Sequence, residues 1–302
     1  MSATYYELKL KINPAMEDLV SEIFFDNFNC DGVILAEETY KDLEMVDTTE
    51  GTLRVFLQSD DDIEDLRYDI ENILDLHREE FLSRGLSEFE LGSWEFTLEE
   101  KKTEDWSQKW KEKWDVTHVT DKIAVVPDWI KYEPKEGEIV IKLEPGCAFG
   151  TGTHQTTQLC MKALEKYFKG GTVADIGMGS GILSILAKKL GASYVYGCDT
   201  DETVIEVAKE NAIKNSVICE FELGRADKVK EKFDFVVANI LHFVLAEIMG
   251  DLKNIMKDGA LMSLSGILDE KKQMVLDAIA RENLKIVEEI KQDQWTSYVV
   301  SK

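Results

Sequence analysis

Three glycines that directly follow an apolar strand form the segment best suited to hold a ligand. Residues 172–181 read TVADIGMGSG, and the run ILSILAKKL after them is typical of a helix. Glycine lets the backbone turn tightly and approach a bound molecule closely. The dinucleotide fingerprint is G-x-G-x-x-G with pyrophosphate at the helix N-terminus, but Gly177, Gly179 and Gly181 follow G-x-G-x-G. The earlier third glycine, with Asp175 just before the loop, favours a ligand without phosphates.

An acidic residue ends the strand that follows this helix. Asp199 comes directly after YVYGC and lies 22 residues after Gly177. A carboxylate at the tip of the second strand can accept hydrogen bonds from both ribose hydroxyls. A glycine-rich turn alone is often only a tight turn, but the loop and this carboxylate together predict a nucleoside site. S-adenosylmethionine (AdoMet) fits because it lacks pyrophosphate and its ammonium can pair with Asp175; NAD is the alternative ligand.

A second loop, rich in glycine and threonine, precedes these motifs. Residues 144–157 read EPGCAFGTGTHQTT, and a helix is predicted to begin near His154. Thr153 is the expected helix cap, but the loop contains four threonines, more than one cap requires. We therefore expect this loop to close over a bound ligand.

A polar residue ends a third apolar strand, in the segment 233–243, FDFVVANILHF. In open α/β sheets ligands bind outside the carboxyl ends of the strands. There Asn239 offers a carbonyl to orient an amine and an NH₂ group for the cofactor, although an asparagine alone is more often a turn former or a cap. His242 follows within one helical turn and is a weaker candidate, as a proton acceptor.

The histidines and cysteines do not indicate a metal centre. The four histidines lack ligand spacing, and the five cysteines form no C-x-x-C pair. Free thiols and the lack of a secretory signal predict a cytoplasmic protein. No apolar run reaches the ~18–20 residues of a membrane span, so we expect no membrane partner.

The elements around these motifs alternate between strands and helices. Strands are predicted at 122–127, 138–143, 172–176, 194–198, 233–238, 259–264, 284–291 and 295–301. Helices are predicted at 154–168, 181–190, 202–214, 242–256 and 270–282. This alternation predicts a doubly wound α/β domain with a mostly parallel sheet over 116–302.

The first hundred residues follow a different order. Strands are predicted at 4–12, 32–38, 52–58 and 88–98, and helices at 15–28 and 61–83. This β-α-β-β-α-β order predicts a ferredoxin-like α+β domain over 1–100. Residues 101–115 are a predicted linker helix that carries Trp106, Trp110 and Trp114 on one side. This stripe indicates packing against one domain, with a hinge as the alternative.

The net charge of −24 is concentrated in the first domain. Residues 1–100 contain 27 acidic and 7 basic residues, a net charge of −20. This excludes sequence-blind binding of nucleic acid by the surface as a whole, because that mode needs Lys and Arg to replace counterions. The acidic domain either keeps the protein soluble or binds a basic partner.

Four strings, in order and spacing, resemble the ribosomal protein L11 methyltransferases (the PrmA family): EPGCAFGTGTHQTT, DIGMGSGILSI, GCDTD and VVANIL. The segments DWSQKWKEKW and IAVVPDW are also similar to the linker and the start of the catalytic domain in that family. The resemblance implies a seven-stranded, Rossmann-like class I methyltransferase domain behind the ferredoxin-like domain. It also implies an AdoMet-dependent N-methyltransferase that modifies lysine side chains, the N-terminal amine, or both, on a large-subunit ribosomal protein.

The resemblance assigns cofactor contacts to Thr156, Gly177, Asp199 and Asn239, and Asn239 is also the expected catalytic residue. Further cofactor contacts are expected from neighbouring loop residues: Phe149, Gly150, Thr151, Asp175 and Gly179. The sequence departs from the family at three positions. Met178 and Ile176 replace a usual Cys and Phe, and His242 replaces a small residue near the expected position of the target amine.

The expected partner is a basic ribosomal protein that binds the acidic N-terminal domain of a monomeric enzyme, without direct contact to nucleic acid. Three alternatives remain open: a non-catalytic binder of a ribosomal protein, an RNA methyltransferase and an NAD oxidoreductase. The intact motifs argue against the first. The acidic domain and N-I-L-H after the strand argue against the second, and the glycine spacing argues against the third.

Overall fold

The computed structural model describes residues 4–36, 40–41, 44–45, 51–101, 115–143 and 152–302. The chain forms two compact units, and the described residues up to 101 belong to the first and those from 115 to the second. Trp106, Trp110 and Trp114 of the predicted linker helix lie outside the described residues. In the part of the chain that is described, no helix has the length and apolar character needed to cross a membrane.

The first unit is a four-stranded antiparallel sheet with helices. Its elements are β1 (Thr4–Ile12), α1 (Glu17–Asn27), β2 (Cys30–Ala36), β3 (Tyr40–Lys41), β4 (Glu44–Met45), β5 (Gly51–Ser59), α2 (Ile63–Ser83), α3 (Glu88–Leu91) and β6 (Phe96–Lys101). The sheet order is β2-β5-β1-β6. Alternate residues of β1, among them Leu8 and Leu10, are fully buried beside Val55 and Leu53 of β5. Apart from β3, β4 and α3, this is the predicted succession of elements.

One predicted strand of the first unit is wrong in part. The alternating segment 88–98 is split into the helical turn α3 and the start of β6, which begins only at Phe96. Ser87 and Glu90 explain the turn, because they form a reciprocal capping box at the start of α3. Local capping therefore overrides the alternating pattern of apolar residues.

The second unit contains a seven-stranded sheet, as the family resemblance implies. Its strands are β10 (Thr172–Ile176), β11 (Tyr194–Asp199), β12 (Glu220–Leu223), β13 (Phe233–Asn239), β14 (Met256–Leu268), β15 (Lys285–Gln292) and β16 (Trp295–Ser301). Their order is β12-β11-β10-β13-β14-β16-β15. The first five are parallel, and β16 runs antiparallel to both of its neighbours.

Helices cover both faces of this sheet. They are α4 (Gln155–Tyr167), α5 (Ile182–Lys189), α6 (Glu202–Lys214), α7 (His242–Asn254) and α8 (Lys272–Arg281). Successive strand residues enter opposite cores: Val173 packs with residues of α4, α5 and α6, and Ala174 packs with residues of α7 and α8. Strands buried on both faces require near-continuous apolar sequence, as in the FVVA stretch of β13, whereas β10 has the buried carboxyl group of Asp175 near its end.

Two predicted strands belong to a separate small sheet rather than to the large one. β8 (Ile123–Pro127) lies between β7 (Thr117–Thr120) and β9 (Ile139–Leu143). The seven-stranded sheet instead includes β12, which the sequence analysis missed. β12 is a four-residue edge strand in which only Phe221 is buried, so it has little apolar pattern to detect.

Candidate active site

Three strand ends meet where the order of the large sheet reverses. β10 lies between β11 and β13, and these three strands are parallel. Asp199 is the last residue of β11, Asn239 is the last residue of β13, and Gly177 follows β10 directly. Ligands of open α/β sheets bind at this kind of switch point, outside the carboxyl ends of the strands.

The glycine loop is shaped by two close approaches. The φ angles of Gly177 and Gly181 are 71° and 75°, in the left-handed region that favours glycine. A Cβ on Gly177 would lie 2.3 Å from Cγ2 of Ile240, and one on Gly181 would lie 3.1 Å from Cβ of Ala208. The amide of Gly177 donates to the carbonyl of Cys198 at 2.9 Å. Both glycines are therefore needed for the loop to lie against β13 and α6.

The carboxylate of Asp199 is surrounded by backbone amides. Oδ2 accepts from Gly179 at 2.9 Å, and Oδ1 accepts from Thr200 at 2.7 Å and from Asp201 at 3.2 Å. Burial raises the pKa of Asp199, and these three hydrogen bonds oppose the rise. A carboxylate has about four acceptor positions. Among the described residues, Oδ2 has one hydrogen-bond donor and so keeps acceptor capacity for a ligand hydroxyl.

Asp175 is a fully buried carboxyl group at the strand end of β10. Its Oδ2 accepts from the amide of Ser184 at 2.9 Å and from the Ser184 hydroxyl at 2.7 Å. Its Oδ1 is buried and has no hydrogen-bond partner among the residues that the structure describes. Burial raises the pKa of Asp175 to about 7, against the opposing effect of the bonds from Ser184.

Asn239 presents a second buried acceptor. Its Nδ2 donates to Oγ1 of Thr157 at 3.3 Å, which fixes the orientation of the amide. Its Oδ1 is buried without a hydrogen-bond partner in the described part of the chain. A buried carbonyl oxygen left in this way is costly unless a ligand donates to it, so Asn239 is poised to bind an N–H or O–H group.

The start of α4 brings Thr156 to the same edge of the sheet. The cap of this helix is His154, not the predicted Thr153, and its side chain accepts from the amide of Thr156. Ser265 of β14 donates from its hydroxyl to the carbonyl of Thr156 at 3.0 Å. The first turn of α4 is thus attached to the end of β14, the strand next to β13.

Three predicted loop residues lie outside the described residues: Phe149, Gly150 and Thr151. Met178 is buried, and a Cβ on Gly197 would lie 2.7 Å from its sulfur, so Gly197 makes room for it. His242 is buried at the first residue of α7, and its ring packs edge-on against Phe243.

The contacts that orient the predicted residues could not be identified from the sequence, although Thr157 belongs to the loop that is expected to close over a ligand. Thr157 accepts from Asn239, Ser184 donates to Asp175, and Ser265 donates to the carbonyl of Thr156. A lone hydroxyl on a helix or strand does not indicate in the sequence which residue it will contact. Among the described residues, no group of three or more His, Cys, Asp or Glu side chains could hold a metal ion. The charged residues of this site, Asp175 and Asp199, are both acidic, which suits a cationic ligand with hydrogen-bond donors.

Comparison with known proteins places the whole chain in one group. Residues 4–302 match the family described as ribosomal protein L11 methyltransferase (PrmA). Relatives named ribosomal protein L11 methyltransferase also match this chain. The protein of Acetivibrio thermocellus is 45% identical over 65% of this chain and 64% of its own length. The protein of Caldicellulosiruptor saccharolyticus is 33% identical over 99% of both chains.

A solved structure supports the same grouping. The crystal structure of ribosomal protein L11 methylase from Lactobacillus delbrueckii subsp. bulgaricus is 33% identical, with a TM-score of 0.60 over 63% of this chain and 99% of that one. The family match over residues 4–302 covers the strands that form the site. The chain belongs to the ribosomal protein L11 methyltransferase (PrmA) family.

Proposed function

We propose that this chain transfers methyl groups from AdoMet to amino groups of ribosomal protein L11. The main support is the family match, which spans residues 4–302 and so includes every strand end of the polar site. The relatives described above are named for methylation of the same protein.

The residues of the site fit AdoMet better than NAD. AdoMet carries an ammonium that suits Asp175 and ribose hydroxyls that suit Asp199, whereas the G-x-G-x-G spacing departs from the pyrophosphate-binding fingerprint of NAD proteins. The unpartnered Oδ1 of Asp175 offers an acceptor for the donor groups of AdoMet, and the unpartnered Oδ1 of Asn239 is left for the target amine. We assign cofactor binding to these residues together with their neighbours: Phe149, Gly150, Thr151, Thr156, Gly177 and Gly179.

When bound, AdoMet supplies an electrophilic methyl group on a good leaving group. The protein must therefore align the amine with that methyl group and keep the amine neutral. A free lysine titrates near ~10.4, and partial desolvation beside a cation favours its neutral form. The Oδ1 of Asn239 accepts one N–H of the amine and so directs its lone pair, and the released proton passes to water.

The first unit recognises the substrate in this proposal. Its strand order, β2-β5-β1-β6 with β-α-β-β-α-β succession, supports classification of residues 1–100 as a ferredoxin-like domain. We assign residues 101–115 to a linker and those from 116 to the catalytic domain. Its net charge of −20 attracts a basic ribosomal protein and repels rRNA. We further propose that the enzyme acts as a monomer in the cytoplasm on L11 that is not yet bound to rRNA.

Methyl-labelled AdoMet separates the candidate substrates. The protein is incubated with labelled AdoMet and either the purified proteins of the large subunit or protein-free rRNA, and the label is located by gel electrophoresis. We expect label in one small basic protein, L11, and none in RNA. Label in RNA would favour an RNA methyltransferase, and AdoMet binding without any transfer would favour a non-catalytic binder.

A further inference from the structure

The imidazole of His154 lies between the start of α4 and the C-terminal strand β16. Its Nδ1 accepts from the amide of Thr156 at 3.3 Å and lies 2.7 Å from Oγ1 of the same residue. The ring packs edge-on against Trp295, with centroids 5.0 Å apart and an angle of 74° between the ring planes. His154 and Thr156 are 9% and 1% exposed, so bulk water does not compete for these contacts.

The backbone amide decides which tautomer of His154 is present. An amide N–H can only donate, so Nδ1 must offer its lone pair, which assigns the neutral ring with its proton on Nε2. The short contact then has the Thr156 hydroxyl donate its single hydrogen to the same lone pair of Nδ1, which the hydroxyl shares with the longer bond from the amide. As a result, the Oγ1 of Thr156 keeps only its acceptor capacity for any other partner.

We propose that His154 is a positioning residue that makes the Thr156 hydroxyl a pure acceptor toward an N–H or O–H donor of the cofactor. The proposal rests on the AdoMet site proposed above, in which Thr156 contacts the cofactor. The bond from Ser265 to the Thr156 carbonyl holds the backbone of this turn. His154 in addition fixes the rotation of the Thr156 hydroxyl. The ring itself is held by Trp295, which links β16 to the site.

A double-mutant cycle with His154→Ala and Thr156→Val tests the proposal by calorimetric titration with AdoMet. Because both changes remove the same acceptor geometry, each single variant and the double variant should all raise the Kd about tenfold. His154→Asn should bind nearly as the unmodified protein does, since its Oδ1 can take the place of Nδ1. A Kd about a hundredfold higher in the double variant would show independent effects and overturn the proposal.

Two controls separate positioning from simple loss of a helix cap. Asp62→Ala removes the side-chain cap of α2 in the other unit, and it should lower stability without changing the Kd for AdoMet. Long-range ¹H–¹⁵N NMR of the four histidines should show Nε2 protonated in the signal that His154→Asn removes; a proton on Nδ1 would overturn the proposal even if the alanine variant does not fold.

Asp199→Ala distinguishes failure of this proposal from failure of the proposed function. If Asp199→Ala abolishes AdoMet binding while His154→Ala leaves it unchanged, the positioning role is wrong and the site stands. If Asp199→Ala and Thr156→Val both bind AdoMet normally, the cofactor site itself is wrong.

Discussion

At the scale of single residues, Asn239→Ala tests whether this side chain contributes to the rate of methyl transfer when both substrates are bound. Its buried Oδ1 is assigned to the acceptor amine, so Asn239→Ala should lower kcat about 100-fold at saturating AdoMet and L11, because a poorly oriented amine rarely reaches the methyl group. Initial rates of methyl transfer measure this effect. Asn254→Ala, at the exposed end of α7, is a matched control that should keep full activity. Unchanged kcat in Asn239→Ala would remove Asn239 from the mechanism.

Asp175 should make stability depend on pH. Because its pKa is raised to about 7, the folded chain binds a proton between pH ~4 and pH ~7 that the unfolded chain has released. The free energy of unfolding therefore falls as pH rises through this range, by about 2 kcal/mol between pH ~5 and pH ~7 from this group. Asp175→Asn keeps an acceptor for Ser184 without the charge.

Urea unfolding of both proteins from pH ~5 to pH ~8 measures the contribution of Asp175. The free energy of unfolding of Asp175→Asn should fall less between pH ~5 and pH ~7 than that of the unmodified protein, by about 2 kcal/mol. Parallel curves would mean that the carboxyl group ionises in the folded protein as it does in water.

The residue types of the site could be predicted, but their partners could not. Gly177, Asp199 and Asn239 are identified by their positions directly after apolar strands, and parallel strands bring those positions to one edge. The hydroxyls of Ser184 and Thr157 come from helices whose packing against the sheet decides which strand end they reach. The same is true of the helix cap, where sequence statistics favour Thr153 and the structure uses His154.

At the scale of elements, Gly177 determines how closely the glycine loop approaches β13. Gly177→Ala places an L residue at φ 71° and a methyl group against Ile240, so the protein should lose about 3 kcal/mol. Gly191→Ala is the matched control, because φ is 96° there but nothing lies within 4 Å of the added atom; it should lose only about 1 kcal/mol. Urea unfolding compares the two variants.

Combining Ile240→Ala with Gly177→Ala tests the same contact from the side of Ile240. The double variant should recover part of the stability lost in Gly177→Ala, since it lacks the atom that the new methyl group meets. Equal losses in Gly177→Ala and Gly191→Ala would show that the contact with Ile240 does not constrain the loop.

Elements with strong periodicity could be predicted, and elements fixed by local or edge effects could not. The buried strands β10 and β13 and the helices α2 and α6 have clear apolar patterns. The edge strand β12 has one buried side chain, and α3 depends on a capping box of two residues. The separate sheet of β7, β8 and β9 is a matter of tertiary pairing, which apolar patterns do not encode.

At the scale of the whole molecule, charge should govern capture of the substrate. The first hundred residues have a net charge of −20, and the rest of the chain has −4. Raising the ionic strength from about 0.05 M to about 0.5 M shortens the range of this attraction, so KM for L11 should rise at least severalfold. The Kd for AdoMet should change much less, because its contacts are short and buried. Equal salt dependence of both constants would argue against docking on the acidic domain.

We propose that this site methylates amino groups of L11 with AdoMet. The most direct measurement is mass spectrometry of purified L11 after incubation with AdoMet and this protein, with Asp199→Ala in parallel. We predict mass increases of whole methyl groups, located on lysine-containing or N-terminal peptides, with the unmodified protein and none with Asp199→Ala. Unmodified L11 in both reactions, or equal methylation by both proteins, would contradict the claim.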